Sequence, residues 1–329
     1  MINCGAGIRI VVAVCLAAIA SPVSADVQLC AGTKFRFADV KQGVAALSKR
    51  DEFVAAMSPF DRQVRLQTDR PVNEAAYLKH VADQVVAWND ADREKLTLVV
   101  TAAGKRLAGW KLPLPETILL VETTGREEGG AAYCRGAVIV LPRGIVRRPA
   151  KSLERLLLHE LFHVLSNQNP KLRERLYKIV GFVPCGDVKL PPDLAKRKLT
   201  NPDAPVMRHM VDVIYKESPV KAVPILFSKS DKYDAKSGRN LFSYLTFRLM
   251  VVEMHDGKWH AAKKDGKPVL FDAKNTPSYF KKIGRNTGYI IHPEEVLADN
   301  FVLLLYKAEK VKTPQVLAGM RKVLNAKQK

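Results

Sequence analysis

Cysteine is scarce in this chain, with five in 329 residues, at Cys4, Cys15, Cys30, Cys134 and Cys185. None of the spacings matches a zinc knuckle or a C-x-x-C redox pair, which excludes a cysteine-built metal module and a thioredoxin-like centre. Acidic residues are also few, 33 against 53 lysines and arginines, so the formal net charge is +20. The sequence shows no internal repeat and no low-complexity tract, which excludes a repeat array. Beyond the first 25 residues no apolar run is long enough to cross a bilayer. Val296 to Tyr306 comes nearest, and Asp299 and Asn300 interrupt it.

What is present begins with a leader. Arg9 precedes the apolar run Ile10 to Ala20, and Ser21-Pro22-Val23-Ser24-Ala25 follows. A basic flank, a short apolar core and a small-residue ending read as a secretory signal peptide over residues 1–25, cleaved near Ala25. The expected product is secreted or periplasmic, without a transmembrane segment. Cys4 and Cys15 leave with the leader. In an oxidising compartment the remaining three predict one disulfide and one spare thiol. Cys134–Cys185 is the favoured pair, with Cys30 able to replace either partner.

Removing Arg9 leaves a mature side-chain charge of +19, that is, 20 minus 1. Lys196-Arg197-Lys198, Lys263-Lys264 and Lys281-Lys282 could face an anionic envelope polymer or an acidic protein. Nucleic acid is not expected of an exported chain with no recognisable binding module. The mature length can bury one large core or two smaller ones.

The chemistry concentrates in His159-Glu160-Leu161-Phe162-His163. Histidines four apart stand one turn above one another on a helix, so both imidazoles can reach one metal ion. Glu160 lies beside the position of a metal-activated water and reads as its general base. At about 100° per residue, Leu153, Leu157, Leu158, Leu161, Phe162, Val164 and Leu165 form a broad apolar arc, leaving His159, Glu160 and His163 on a narrow polar stripe with Leu156. Pro149 suits the first turn of this helix, and Asn169-Pro170 ends it.

Upstream, residues 26–112 read as a helical N-terminal region. Val40 to Met57 marks a first helix ending near Ser58-Pro59, Tyr77 to Trp88 a second, and Leu96 to Leu107 a third. Ser58 to Arg62 reads as a turn. Thr117 to Thr123 and Ala137 to Leu141 then read as strands around a polar turn. A hairpin leading into an H-E-x-x-H helix resembles the zincin metallopeptidase core. That resemblance implies a sheet edge bordering the substrate cleft, for which Tyr133 to Val140 is the candidate, and substrate pairing by strand addition. Downstream, residues 240–254 are ambiguous between a long strand and a helix.

Catalytic zinc usually takes three protein ligands. The extended H-E-x-x-H-x-x-G-x-x-H pattern fails here, with Ser166 and Asn169 at its glycine and last histidine positions, so a metzincin is not indicated. A later glutamate is the alternative. His292-Pro293-Glu294-Glu295 opens a helix with His292 as cap, and Glu295 and Asp299 share a face four residues apart. This arrangement resembles the gluzincins, the thermolysin-like and lethal-factor-like superfamily. The resemblance implies His159, His163 and Glu295 as ligands to one Zn2+, Glu160 as base, Asp299 as the outer-shell acid and Tyr289 as oxyanion stabiliser. Asp187, Asp193 and Glu174 are nearer substitutes for the third ligand, and Tyr244, His255 and His260 for the stabiliser.

The implied fold is α+β, with a zincin-like catalytic domain over residues 113–329 and a long insertion, about 170–285, between the two metal-binding helices. The implied activity is hydrolysis of a peptide or protein substrate. The alternatives are a non-catalytic, zinc-containing envelope-binding protein using its basic surface, and a zinc amidase acting on cell-wall peptides.

Overall fold

The computed structural model describes residues 26–326. The proposed leader lies outside them. The fold is mixed α+β. A five-stranded sheet comprises β1 (Val27–Cys30), β2 (Thr33–Phe37), β3 (Thr117–Thr123), β4 (Tyr133–Arg135) and β5 (Val138–Pro142), in the order β1-β2-β3-β5-β4. β2, β3 and β5 run parallel, while β1 and β4 are antiparallel to their neighbours. Tyr133–Arg135 therefore forms one edge of the sheet, opposite β1, and Val138–Pro142 lies inside the sheet.

The region before β3 opens on two strands rather than a helix. Thr33, Phe35 and Phe37 are buried while Lys34 and Arg36 are half-exposed, a period-two pattern that suits a sheet and no helical face. The expected first helix is two, Val40–Leu47 and Glu52–Ala56, because Asp51 caps the second by accepting from the Val54 amide. The expected turn at Ser58 is also a helix start. Ser58 accepts from the Asp61 amide, and Pro59 opens the helix Pro59–Leu66. Asp90–Leu107 packs on β1 and on the H-E-x-x-H helix. Gly104 permits that approach, since a Cβ there would meet the Leu29 carbonyl oxygen at 2.3 Å.

Between the two site helices lies an antiparallel sheet, β6 (Phe182–Pro184), β7 (His209–Tyr215), β8 (Ser218–Ser228), β9 (Leu245–His255) and β10 (Lys258–Ala261). The ambiguous segment is a short helix, Leu241–Tyr244, running into β9. Alternation decides it. Leu249 and Val251 join the main core with Val211, Val213 and Ala222. Met250 and Val252 face the other way, with Met210, Val223 and Ile225. One face of this sheet is thus built into the same core as the five-stranded sheet. Among the described residues no helix is long and apolar enough to cross a membrane.

The expected Cys134–Cys185 bridge does not form, and Cys30, Cys134 and Cys185 are all free. Cys134 is fully buried on β4 and its thiol donates to the Gly136 carbonyl. Cys185 is half-buried and bonds to its neighbour Gly186. Flanking the same helix in sequence did not bring the two sulfurs together.

A buried ion cluster joins three distant segments. Arg65 pairs with Asp61 on its own helix and, through Nε at 2.6 Å, with Glu128 from the β3–β4 connection. Its Nη2 donates to the Thr200 carbonyl at 2.8 Å, and the Thr200 amide donates to Asp61 at 3.0 Å. Burial pushes Glu128 up to about 7 despite Arg65 beside it. Arg65→Ala leaves two buried carboxylates without their cation and should cost about 3–5 kcal/mol in chemical denaturation. A loss of only ~0–1 kcal/mol, the worth of a surface pair, would contradict this assignment.

Candidate metal centre

The H-E-x-x-H motif lies in the helix Ala150–Gln168, with Pro149 at its N-cap and Asn169 at its C-cap. Its apolar arc is buried in the main core, and Phe162 meets Phe301 of the second site helix at 5.6 Å between ring centroids. That second helix is Pro293–Leu305. His292 Nδ1 caps it, accepting from the Glu294 amide at 3.2 Å. Burial pushes His292 down to about 3, so its ring is neutral and can accept.

Between the two helices, His159, His163 and Glu295 offer ligand atoms within 4.8 Å of one another. Glu295 Oε2 stands 3.2 Å from His159 Nε2 and 3.5 Å from His163 Nε2. Each histidine is oriented from behind. His159 Nδ1 meets Asp299 at 3.0 Å, and Thr287 donates to the other oxygen of Asp299. His163 Nδ1 meets Glu294 at 3.0 Å. Glu294 in turn accepts from Ser166 at 2.8 Å and from Tyr177 at 2.5 Å. A carboxylate on Nδ1 fixes the tautomer and leaves Nε2 as the ligating nitrogen.

The residues fit a cation. His163 Nε2 and Glu160 Oε2 are buried without a hydrogen-bond partner, a costly arrangement unless something else satisfies them. His159 and His163 stand among the carboxylates of Glu160, Glu294, Glu295, Asp299 and Asp203. Against burial, hydrogen bonds to Asp299 and Glu295 hold His159 up to about 10. Burial also opposes charge on Glu295, yet the two histidines hold it well below the ordinary carboxylate range. Glu160 is raised by burial, with His163 and His159 opposing and Glu295 adding to the effect.

Tyr289 stacks on His159 with ring centroids 6.3 Å apart and planes at 19°. It is 43% exposed, so it lies at the mouth of the centre. Burial and the nearby Glu295 push its phenol upward and keep it a donor. The other sequence candidates lie elsewhere. Glu174 pairs with His209 at 2.8 Å, and Asp187 with Arg208 at 2.7 Å. Asp193 is exposed on the short helix Pro192–Lys196. Tyr244 packs on Phe60 and Tyr233, while His255 pairs with Glu253 and lies beside His260 at the far end of β9 and β10.

Sequence reasoning missed three contributors. Glu294 was readable as an N-terminal helix acid, although its adjacency to Glu295 on an otherwise apolar helix was a signal. Asn201 and Asp203, in the proline-rich loop Asn201-Pro202-Asp203-Ala204-Pro205, carried none. Asn201 Nδ2 donates to Glu295 Oε1 at 2.5 Å, and Asp203 forms a second close group with Glu160 and His163. The basic run Lys196-Arg197-Lys198 is partly structural. Arg197 donates to the Ser228 carbonyl, and Lys198 to the carbonyls of Ala56 and Pro205.

Comparison with family models, with curated proteins and with solved structures returned no match.

Glu295→Ala should abolish or greatly weaken metal binding by the purified protein, measured as metal per chain after dialysis. Glu294→Gln should retain full occupancy at saturating metal and lower affinity about 10–100-fold. Undiminished binding in Glu295→Ala would move the third ligand elsewhere.

Proposed function

We propose that the chain is an exported, single-zinc metallopeptidase of the gluzincin type, in which His159, His163 and Glu295 hold the ion. One observation carries the reading. Both histidines are backed at Nδ1 by a carboxylate and present Nε2 to Glu295, while Glu160, the intervening residue of the motif, keeps a buried oxygen unpartnered. Imidazole and carboxylate donors suit zinc, and three protein ligands match a catalytic rather than a closed structural site. The five-stranded sheet with β4 as its antiparallel edge, leading through β5 to the motif helix, further supports a zincin-like core.

When bound, zinc supplies Lewis acidity and lowers the pKa of a water. The chain's own groups do the rest. Glu160, buried and raised above the ordinary carboxylate range, accepts a proton from the attacking water and returns it to the leaving amine. Tyr289, a phenol held protonated beside His159, donates to the oxyanion developing on the peptide carbonyl. Asp299 and Glu294 keep the two imidazoles aligned.

A second reading, a metal-holding envelope-binding protein without turnover, is favoured by one observation. The backbone amide of Cys134 on the edge strand is already taken by Asp203 at 2.7 Å, where strand addition would need it. Exposed lysines such as Lys263-Lys264 and Lys281-Lys282 would serve that protein on an anionic polymer.

Peptide-library digestion separates the two. Glu160→Gln should keep its zinc and lose about 10²–10⁴-fold in hydrolysis. Tyr289→Phe should lose about 10²–10³-fold in kcat with little change in KM. Full activity in Glu160→Gln would eliminate the mechanism, and salt-sensitive polymer binding without turnover in the wild type would select the second reading.

A further inference from the structure

The loop from Leu199 to Pro205 reaches the candidate metal centre and is anchored along its length. At its start, the Leu199 amide bonds to Leu226 of β8, and Thr200 is clamped by Asp61 and Arg65. Asn201 and Ala204 pair across a tight turn. From that turn Asn201 reaches Glu295, and Asp203 accepts from the Cys134 amide on the edge strand. Asp203 is 8% exposed. Its carboxylate lies within 4.8 Å of the ligand atoms of Glu160 and His163, a group that shares His163 with the His159, His163 and Glu295 set. His163 Nε2 and Glu160 Oε2 are buried there without a hydrogen-bond partner.

The loop also divides the surroundings of the centre in two. Pro202 and Asp203 line a cavity of about 210 Å³ with Arg173, Arg208 and His209. They also line a smaller one of about 60 Å³ beside Tyr289, Leu241 and Phe242. A substrate strand paired to β4 and running past the metal would have to occupy the space that the turn fills.

We propose that in the resting protein Asp203 is a fourth protein ligand of the metal held by His159, His163 and Glu295, so that the loop closes the coordination position a water would take and the hydrolysis proposed above requires its withdrawal. The inference rests on the metal site proposed above but not on peptide hydrolysis. A carboxylate is a competent zinc ligand, and a fourth protein ligand converts an open catalytic site into a closed one. The loop then acts as a strap. While Asp203 coordinates the metal and accepts from Cys134, both the metal's open face and the edge strand are taken. Withdrawal of one turn frees them together.

The test uses the full mature chain loaded with Co2+, whose visible spectrum reports coordination, and azide as a small anionic probe. The wild type should show no azide-induced spectral change. Asp203→Ala and Asp203→Asn should both bind azide and should hold zinc at least about tenfold more weakly, as loss of a coordinating group implies. Asp203→Asn retains an acceptor for the Cys134 amide, so it separates loss of coordination from loss of loop structure if the alanine variant folds poorly. Azide binding by the wild type equal to that of the variants, or undiminished zinc affinity in both variants, would overturn the proposal while leaving the three-ligand site standing. A wild type that takes up neither metal would overturn the site itself, and this inference with it.

Discussion

The contact between two imidazoles and the carboxylates of a helix 130 residues downstream is the constraint around which the second half of this protein is arranged. The helix Ala150–Gln168 is buried on nearly every side, yet it carries Glu160, His163 and Ser166 into the interior. Buried polar groups without partners each cost about 1–3 kcal/mol, which offsets much of what the helix gains from its leucines. From a helix that is itself almost wholly apolar, Glu294 supplies partners for His163 and Ser166, and Asp299 and Glu295 for His159, while Glu160 Oε2 is left unpartnered. Once the two helices meet, the chain between them must leave and return at fixed points. The antiparallel sheet β6 to β10 is how it does so, with one face folded into the common core.

The Arg65 cluster performs a similar service at the cleft. It fastens the helix Pro59–Leu66, the turn carrying Glu128 and the loop at Thr200 to one another with buried charge. An N-terminal helix thereby sets the position of Asn201 and Asp203 against the candidate metal centre. Such a cluster contributes little as net stability, because desolvation offsets attraction. Its value lies in geometry, since Arg65 meets Asp61, Glu128 and the Thr200 carbonyl at once.

Much of the site was legible in the sequence because its determinants are local. The spacing of His159 and His163, the arc of leucines around them, Pro293 after His292 and the four-residue step from Glu295 to Asp299 are all periodicities of a single helix. Tyr289 was readable only as a neighbour of that second helix, and the structure stacks it on His159. The strands Val27–Cys30 and Thr33–Phe37 were missed because four- and five-residue elements offer too little periodicity to stand out before a longer helical pattern. The expected disulfide failed because it was inferred from flanking positions along the chain, which say nothing about where two side chains point.

Composition, the H-E-x-x-H helix and its acidic partner helix were determined by the sequence alone, because helical repeat and capping chemistry act over a few residues. Only the tertiary structure decided that Glu294 backs His163 instead of lying on the surface, that Lys198 and Arg197 bind carbonyls inside the fold, and that Asp203 lies against Glu160 and His163. Those outcomes depend on segments 31 to 142 residues apart being packed against one another. Pairing at such separations is fixed by the burial and mutual satisfaction of groups from the whole chain, which no local pattern encodes.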